Sequence, residues 1–444
     1  MHKKSVLPVV AALVAFLSVS TMLRLPGLPV GIAEVMVFIA AFALVRRSGF
    51  LQKLKHPLML FWAAFIVTAL IGYFTGSVRG EGSIHTGVAY VYAACFTLLV
   101  LTYVSDLSAF EFQRFIRAIV TIPILLLSIP LLVFLIGSVS ISDLLEINTQ
   151  YYPSRVAAWS MNPNQLALFL LPVPIWLAAI SQRTHWQGWR FFKKFAFLWL
   201  FFFLGFCVRS DALLLAWCIG IPLLTLLSWC WLKNINWRFF ATMIAAFVLA
   251  FAFFKFLFDG PGVQILEALR IDVSKFVGAS GSVGEGSRAP FAFGRSDSTF
   301  GIGLDPNKGG VRKTLWIHAF EVWKLSPVFG HGPGAFSYLD TPSKRFEAHN
   351  LLFDLLTQVG VVGVVLFGVL YLWLVIGAIK ARDPFSITLL FVLMVFSGAH
   401  FMLRQPVFML YMVICAVVIK NRLFDQMSDS TDKTKVLESE SPGP

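Results

Sequence analysis

Long apolar runs separated by short polar stretches make up most of this chain. Twelve of them are long enough, or nearly so, to cross the roughly 30 Å hydrocarbon core of a bilayer as helices. They occupy residues 5–23, 28–45, 57–75, 87–104, 118–138, 163–180, 195–208, 211–232, 239–258, 351–379, 385–402 and 406–419. The pattern predicts an all-α, polytopic membrane protein with about 12 transmembrane helices.

One long polar segment, 259–350, interrupts this pattern between the ninth and tenth runs. A helix is predicted from Asp259-Gly260-Pro261, because an apolar stripe at helical spacing follows. This stripe comprises Leu266, Leu269, Val273 and Phe276. After a Gly-, Ser- and Pro-rich loop over 278–310, a second amphipathic helix is predicted from Arg312. Its apolar face comprises Trp316, Ala319, Phe320 and Trp323. Such helices lie on membrane surfaces, where they either cover a lipid-linked substrate or only close the helix bundle.

Basic residues are distributed unequally between the two sides of the predicted bundle. With the N-terminus in the cytoplasm, eighteen Lys and Arg residues fall in cytoplasmic loops and five in the short loops opposite. This positive-inside bias predicts that both termini are cytoplasmic and that the segment 259–350 is an external loop. The formal net charge of +13 therefore reflects topology, and no basic soluble face indicates nucleic-acid binding.

These boundaries predict a simple linear organisation. Residues 1–258 hold transmembrane helices 1–9, 259–350 form the large external loop, and 351–422 hold helices 10–12. The remaining residues, 423–444, are rich in Ser, Asp, Lys and Glu and offer little to bury. We expect them to form a disordered cytoplasmic tail.

Several short motifs lie at the end of the loop and the start of the tenth run. They are Arg312-x-x-x-Trp316, Pro327-x-x-Gly-x-Gly-x-Gly-x-Phe336, and His349-Asn350 leading into Gly360-x-x-Gly363. Two more lie upstream, with Arg155 before Asn162-Pro163-Asn164 and Arg209 after Val208. In these motifs the chain resembles the O-antigen ligase family. It departs from the family at Val208, where Ser is usual, and at Gln358, where relatives often carry Glu.

The resemblance implies a membrane glycosyltransferase that uses no cofactor. It would transfer a glycan from undecaprenyl diphosphate to a lipid A–core acceptor at the periplasmic face of the bacterial inner membrane. The same family includes polysaccharide polymerases, whose acceptor is another lipid-linked repeat unit, and oligosaccharide transferases that act on protein. A transporter for lipid-linked glycans is the alternative of another class, since twelve helices with both termini inside also describe many carriers.

The chemistry of this transfer indicates which residues to examine. Cleavage of a sugar–phosphate bond requires positive charge near the departing pyrophosphate and a base for the incoming hydroxyl. Arg312 is a candidate catalytic cation, and Arg155 and Arg209 are candidates for binding the pyrophosphate. His349 is the candidate base, because histidine titrates near neutral pH. Asn350 is expected to cap the tenth helix and leave its positive end near the phosphates.

Two further residues are candidates for a supporting role. Asp354 lies just inside the tenth helix, where a charge requires a partner or a functional reason. His331 sits among glycines and either contacts a phosphate or serves as a turn residue. Arginines near helix ends also extend to lipid headgroups without any catalytic role. No metal site is expected, since His331 and His349 are eighteen residues apart with no ligand set nearby.

Overall fold

The computed structural model describes residues 7–23, 31–45, 50–78, 83–136, 145, 147, 155–181, 189–232, 235–264, 306–335 and 348–439. Within these residues the regular structure is helical, which confirms the all-α prediction. The helices are α1 (Leu7–Leu17), α2 (Ile32–Val45), α3 (Phe50–Leu54), α4 (Pro57–Thr75), α5 (Ser83–Ser105), α6 (Ala109–Ile136), α7 (Pro163–Leu170), α8 (Val173–Ser181), α9 (Trp189–Val208), α10 (Asp211–Trp231), α11 (Trp237–Asp259), α12 (Pro306–Lys324), α13 (Leu351–Lys380), α14 (Pro384–Ser397) and α15 (Pro406–Ser439).

Each of the twelve predicted runs coincides with a helix or a helix pair, so the protein is a multi-pass membrane protein. In the described residues, eight candidate spans are long and apolar enough to cross a membrane. They are α4, α5, α6, the α7–α8 pair, α10, α11, α13 and α15. Of the other four runs, three form helices of 11 to 14 residues, namely α1, α2 and α14. The fourth, α9, has 20 residues but begins with Arg190, Lys193 and Lys194.

Polar residues determine where several helices begin. The side chain of Asn162 accepts a hydrogen bond from the Asn164 amide, and Pro163 then opens α7. Asp383 caps α14 in the same way, with Pro384 in its first turn. Capping side chains satisfy amides that have no partner within the helix, and proline lacks the amide that would otherwise be unsatisfied there.

The helices group into two compact units that interleave along the chain. Unit 1 comprises Met1–Met36, Ala109–Cys218 and Asn236–Thr314, and unit 2 comprises Val37–Ser108, Ile219–Ile235 and Leu315–Pro444. In unit 1, α9 packs against α11 and α1 against α6. In unit 2, α4 packs against α13 and α5 against α15. The spatial units therefore differ from the linear divisions predicted from hydropathy.

The structure refines the predicted external loop. Its first predicted helix, over Leu266 to Phe276, lies outside the described residues. The second forms α12, which begins six residues before Arg312. Its buried stripe is Leu315, Ala319 and, in part, Val322, whereas Phe320 is 40% exposed. The apolar face that packs is therefore rotated from the predicted one, because 315, 319 and 322 share a face at i, i+4 and i+7.

The predicted tail also differs from the structure. Helix α15 continues to Ser439, whereas composition predicts disorder from 423 onward. No Pro or Gly occurs between Lys420 and Ser439, so nothing in the sequence terminates the helix before Pro442-Gly443. Composition measures how much a segment can bury and does not measure how far an existing helix propagates.

Candidate functional site

Helix α13 is interrupted at Gly360, whose φ is 64° and ψ −164°. A continuous helix would join the amides of Val361 and Val362 to the carbonyls of Thr357 and Gln358. Those four groups instead bond to residues 327–335, called here the glycine-rich segment. Its His331 and Gly332 amides donate to the Thr357 and Gln358 carbonyls, each at 2.9 Å. Its Pro327 and Val328 carbonyls accept from the Val361 and Val362 amides at 2.9 and 3.2 Å.

The glycines of this segment allow backbone to pack directly on backbone. Gly332 has a φ of +90°, and a Cβ atom there would lie 2.6 Å from the Cα atom of Tyr73 on α4. A Cβ atom at Gly360 would lie 2.2 Å from the Val328 carbonyl oxygen. The repeated glycines that carry the family resemblance therefore allow the four backbone hydrogen bonds between the segment and α13, a contact called here the splice.

His331 is part of that splice. Its side chain is 1% exposed, and both ring nitrogens have backbone partners. Nε2 lies 2.8 Å from the Val322 carbonyl oxygen, and Nδ1 accepts from the Val78 amide at 3.3 Å. This arrangement requires a neutral ring protonated at Nε2. It favours the structural interpretation of His331 over a phosphate contact.

The Gln358 side chain links α13 to α5 and to the glycine-rich segment. Its side chain is 2% exposed, and its Oε1 atom accepts from the Tyr90 hydroxyl at 2.6 Å and from the Gly334 amide at 2.9 Å. Two donors to one oxygen need an acceptor but no charge. A neutral glutamine therefore fulfils this bridging contact.

His349 lies on a tight turn immediately before α13, with a φ of 51°. Three contacts hold the turn. The buried Asp354 carboxylate accepts from the amides of Ala348 and Asn350, each at 3.3 Å. From the other side, the Trp316 indole of α12 donates to the Ala348 carbonyl at 3.1 Å. The turn therefore holds the half-buried His349 in one place.

A second histidine lies beside His349. The His400 ring is 6.4 Å away between centroids and perpendicular to it, and it also packs 4.9 Å from the Phe396 ring. The same end of α14 receives a hydrogen bond from Asn350 Nδ2 to the Gly398 carbonyl at 2.9 Å. The sequence analysis missed His400. The only feature of the sequence that points to it is that a polar residue occurs near the end of an apolar run.

Asn350 caps α13, as the sequence predicted. Its Oδ1 atom accepts from the amides of Leu352 and Phe353 at 2.9 and 3.3 Å. Together with the Asp354 carboxylate, it occupies the end of the helix where the peptide dipoles concentrate positive charge. A phosphate would meet a carboxylate there, so the geometry favours a capping role for Asn350 over pyrophosphate binding.

Two of the three candidate arginines lie in unit 1, at the same end of α9. Arg155 donates from Nε to the Val208 carbonyl at 2.9 Å and from Nη2 to Asn164 Oδ1 at 3.2 Å. Arg209 follows Val208 directly, with a φ of 50°. The first bond places a cation on a terminal carbonyl of α9, where the helix dipole is negative. The second ties Arg155 to the Asn-Pro-Asn motif.

The guanidinium of Arg209 packs against two aromatic rings. Its Cζ atom lies 5.5 Å from the Phe254 ring centroid and 5.4 Å from that of Phe258, which is cation–π distance. Among the described residues, its buried Nε has no hydrogen-bond partner. Burial lowers the pKa of this guanidinium, while Asp259 and Cys207 act in the opposite direction. Arginine nevertheless stays protonated in proteins, so Arg209 is a cation whose Nε is left without a partner in the described part of the chain.

The third candidate, Arg312, is carried by α12, but its side chain lies outside the described residues. His349, Asn350, Asp354 and His331 all belong to unit 2, whereas Arg155 and Arg209 belong to unit 1. The structure thus brings together His349, Asp354 and His400 in one unit, and the two arginines in the other.

Comparison with known proteins adds one match. Residues 196–368 match the protein family described as O-antigen ligase. The matched stretch includes Arg209, Arg312, the glycine-rich segment and the His349-Asn350 turn, whereas Arg155 lies before it. No curated protein matches the chain. The motifs and this match lead to one conclusion: residues 196–368 are similar to the O-antigen ligase family.

Proposed function

We propose that this protein is a membrane glycosyltransferase of the O-antigen ligase type. It transfers a glycan from undecaprenyl diphosphate to a lipid A–core acceptor at the external face of the bacterial inner membrane, with both termini in the cytoplasm. The observation that carries the proposal is His349, a half-exposed histidine on a braced turn within the matched residues 196–368.

In the proposed reaction, His349 takes the proton from the acceptor hydroxyl. The hydroxyl oxygen then attacks the anomeric carbon of the donor sugar and forms the new glycosidic bond. The sugar–phosphate bond breaks, and its electron pair leaves with undecaprenyl diphosphate. A single displacement of this kind inverts the anomeric carbon.

Arginines supply the positive charge that stabilises the leaving diphosphate, so the proposed reaction needs no metal. Arg209 suits this role because its guanidinium is held on aromatic rings and keeps a donor without a partner among the described residues. Arg155 and Arg312 complete the proposed set, since planar guanidinium groups match phosphate oxygens.

Asp354 acts on His349 indirectly, as a positioning residue. It holds the amides on both sides of His349, which keeps the turn in its left-handed conformation. A base that is pre-positioned loses little conformational freedom when the acceptor binds. The His400 ring packs perpendicular to the His349 ring and lies beside the candidate base.

The decisive experiment measures glycan transfer by the purified protein in liposomes, with and without EDTA. The donor is an undecaprenyl diphosphate-linked glycan, and the acceptors are lipid A–core, a second lipid-linked repeat unit, and protein. We expect EDTA-resistant transfer to lipid A–core that falls at least a thousandfold in His349→Ala. His85→Ala, which removes an exposed histidine on α5, is the matched control and should retain wild-type activity.

The acceptor that is consumed distinguishes a ligase from a polymerase or a protein-modifying transferase. Full activity in a folded His349→Ala protein would show that His349 is not the base. Absence of transfer to all three acceptors, with a donor that a known transferase accepts, would contradict the enzyme and favour the transporter.

A further inference from the structure

His400 is a buried histidine beside the candidate base, and no step of the proposed reaction uses it. Its side chain is 7% exposed, and its ring lies perpendicular to that of His349 with 6.4 Å between the centroids. The same ring packs at 4.9 Å against Phe396, which is completely buried. Perpendicular ring pairs at about 4.5–7 Å attract each other. One side of the His349 ring is therefore covered by a buried and well-packed side chain.

His400 lies on a turn that is tied to the turn of the candidate base. The Nδ2 atom of Asn350, the residue that follows His349, donates to the Gly398 carbonyl at 2.9 Å. The amides of Gly398 and Ala399 bond back to carbonyls of α14, so the turn continues the end of that helix. This hydrogen bond fixes the end of α14 against the start of α13.

A second link fixes the same turn from the side of α5. Phe401, which follows His400, is 3% exposed, and its ring meets that of Tyr90 on α5 at 6.4 Å. The Tyr90 hydroxyl in turn donates to Gln358 of α13 at 2.6 Å. Contacts on two sides therefore determine where His400 lies relative to the His349 turn.

The backbone of His349 is held by Asp354, which accepts from the amides on both sides of it. That leaves the two torsions of the His349 side chain to be controlled. A general base must bring one nitrogen within about 2.6–3.2 Å of the hydroxyl that it deprotonates. A displacement of about 1 Å from that geometry can lower a rate about a hundredfold. The His400 ring restricts these torsions, because it occupies the space on one side of the His349 ring.

We propose that His400 is a positioning residue that holds the His349 ring in the orientation in which it takes the proton from the acceptor hydroxyl. This inference rests on the proposed function and deepens it. In this role His400 contacts neither the substrate nor the transferred proton, so the reaction uses the shape of its ring and not its basicity. A phenylalanine ring would therefore serve at this position, whereas a methyl group would leave the His349 ring free to turn.

The first experiment compares His400→Ala and His400→Phe in the glycan-transfer assay. For His400→Ala, we expect kcat to fall at least tenfold while the KM of the acceptor stays within threefold, because the acceptor still binds and only the base is misdirected. For His400→Phe, both constants should stay within threefold of wild type. Phe391→Ala, which removes a 40% exposed ring from α14, is the matched control and should retain wild-type values.

Two results of this comparison would overturn the proposal. An unchanged kcat in His400→Ala would show that His349 needs no such neighbour. An equal loss of kcat in the Ala and Phe variants would show that the reaction requires a nitrogen of His400. His400→Leu, which fills the buried space without a flat ring, gives the same test should the alanine variant fail to fold.

A double-mutant cycle tests whether His400 acts through His349. In the His349→Ala background, His400→Ala should change the residual rate of transfer less than threefold, because no ring is left to be held. A further tenfold loss in that background would show that His400 acts by another route, and would overturn the proposal.

A third measurement does not depend on catalysis. Diethyl pyrocarbonate modifies unprotonated imidazole rings, and mass spectrometry of the peptides gives the rate at each histidine. We expect His349 to react at least threefold faster in His400→Ala than in the wild type or His400→Phe, because its ring is no longer restrained. His85, which is exposed on α5, is the internal reference and should react at one rate in all three proteins.

The reactivity of His349 separates this proposal from the proposed function. An unchanged rate of modification in His400→Ala would show that His400 does not restrain His349, and would overturn the positioning role. If the wild type transfers no glycan to any acceptor, the proposed function fails, and the rate of modification still decides whether His400 holds the His349 ring.

Discussion

Asp354 shows how a single buried charge can organise the turn that carries the candidate base. Its side chain is fully buried, and its carboxylate accepts from the amides of Ala348 and Asn350. The residue between them is His349, whose left-handed backbone is unfavourable for a residue with a Cβ atom. The carboxylate offsets that cost by satisfying two amides that the turn would otherwise leave unpaired.

Replacing Asp354 should therefore affect stability in a graded way. Asp354→Asn keeps one carbonyl acceptor, whereas Asp354→Ala leaves two amides without it, at about 1–3 kcal/mol each. We expect the thermal midpoint in detergent to fall more for Ala than for Asn, and glycan transfer to fall at least tenfold in both. Glu321→Gln, at a salt bridge whose glutamate is 61% exposed, should change neither. Equal midpoints for the Asn and Ala variants would contradict the bracing role.

The break in α13 is the main feature at the scale of structural elements. A helix interruption exposes backbone groups that must find new partners, and in a membrane protein these partners must come from the protein itself. The glycine-rich segment supplies all four across Gly360. The splice therefore positions this segment against α4 and α13 without a contribution from its small side chains.

Two glycine substitutions separate this role from ordinary helix propensity. Gly332→Ala should lower the thermal midpoint strongly, because its Cβ atom would clash with the Tyr73 backbone at a φ of +90°. A Cβ atom at Gly368 of α13 would lie in open space. Gly368→Ala should therefore be neutral or stabilising by about 0.5–1 kcal/mol. Thermal unfolding and expression of the two variants measure this difference, and a Gly332→Ala protein as stable as wild type would refute it.

The beginning of α4 predicts a pH-dependent stability. Its cap is His56, whose Nδ1 atom accepts from the Leu58 amide at 3.3 Å and must be unprotonated to do so. Burial, followed by the charges of Lys420 and Lys53, lowers the pKa of His56 from 6.5 to about 4. The unfolded chain thus binds this proton at a higher pH than the folded protein. The associated stability is complete above pH 6.5 and is lost as the pH falls toward 4.

We therefore expect the thermal midpoint of the wild type to fall between pH 6.5 and 4 more steeply than that of His56→Asn. Asparagine caps helices well without titrating, so the variant keeps the hydrogen bond and loses the pH dependence. His85→Asn, at an exposed position on α5, should follow the wild type. Parallel curves for wild type and His56→Asn would exclude this contribution.

Orientation in the bilayer is a property of the whole molecule. The loops on one side of the predicted bundle hold most of the basic residues, which predicts that α12 and the His349 turn lie on the external side. In a variant with all five cysteines replaced, Lys324→Cys on α12 should react with a membrane-impermeant maleimide in intact spheroplasts. Lys380→Cys at the end of α13 should react only after lysis. Both lysines are exposed, so accessibility within the fold is matched. The reverse labelling would invert the proposed topology.

Hydropathy and motifs determined much of this protein from the sequence alone. Whether a stretch of about 20 residues can cross a bilayer depends on the composition of that stretch, so all twelve runs were found as helical segments. The capping role of Asn350 was also predictable, because a cap depends only on nearby residues and acts on amides two and three residues away. The family motifs were also readable, because their residues are close together in the chain.

Only the tertiary structure decided how distant residues share their hydrogen bonds. The partners of His331 are Val78 and Val322, and that of Tyr90 is Gln358, 268 residues away. The contact between His349 and His400 likewise joins the turn before α13 to the residues that follow α14. Such pairings depend on which helices pack together, and the hydropathy of a single helix contains no information about its neighbours. The sequence therefore determined the helices and the likeness to the O-antigen ligase family, and packing decided which of the motif residues support the backbone and which remain available for chemistry.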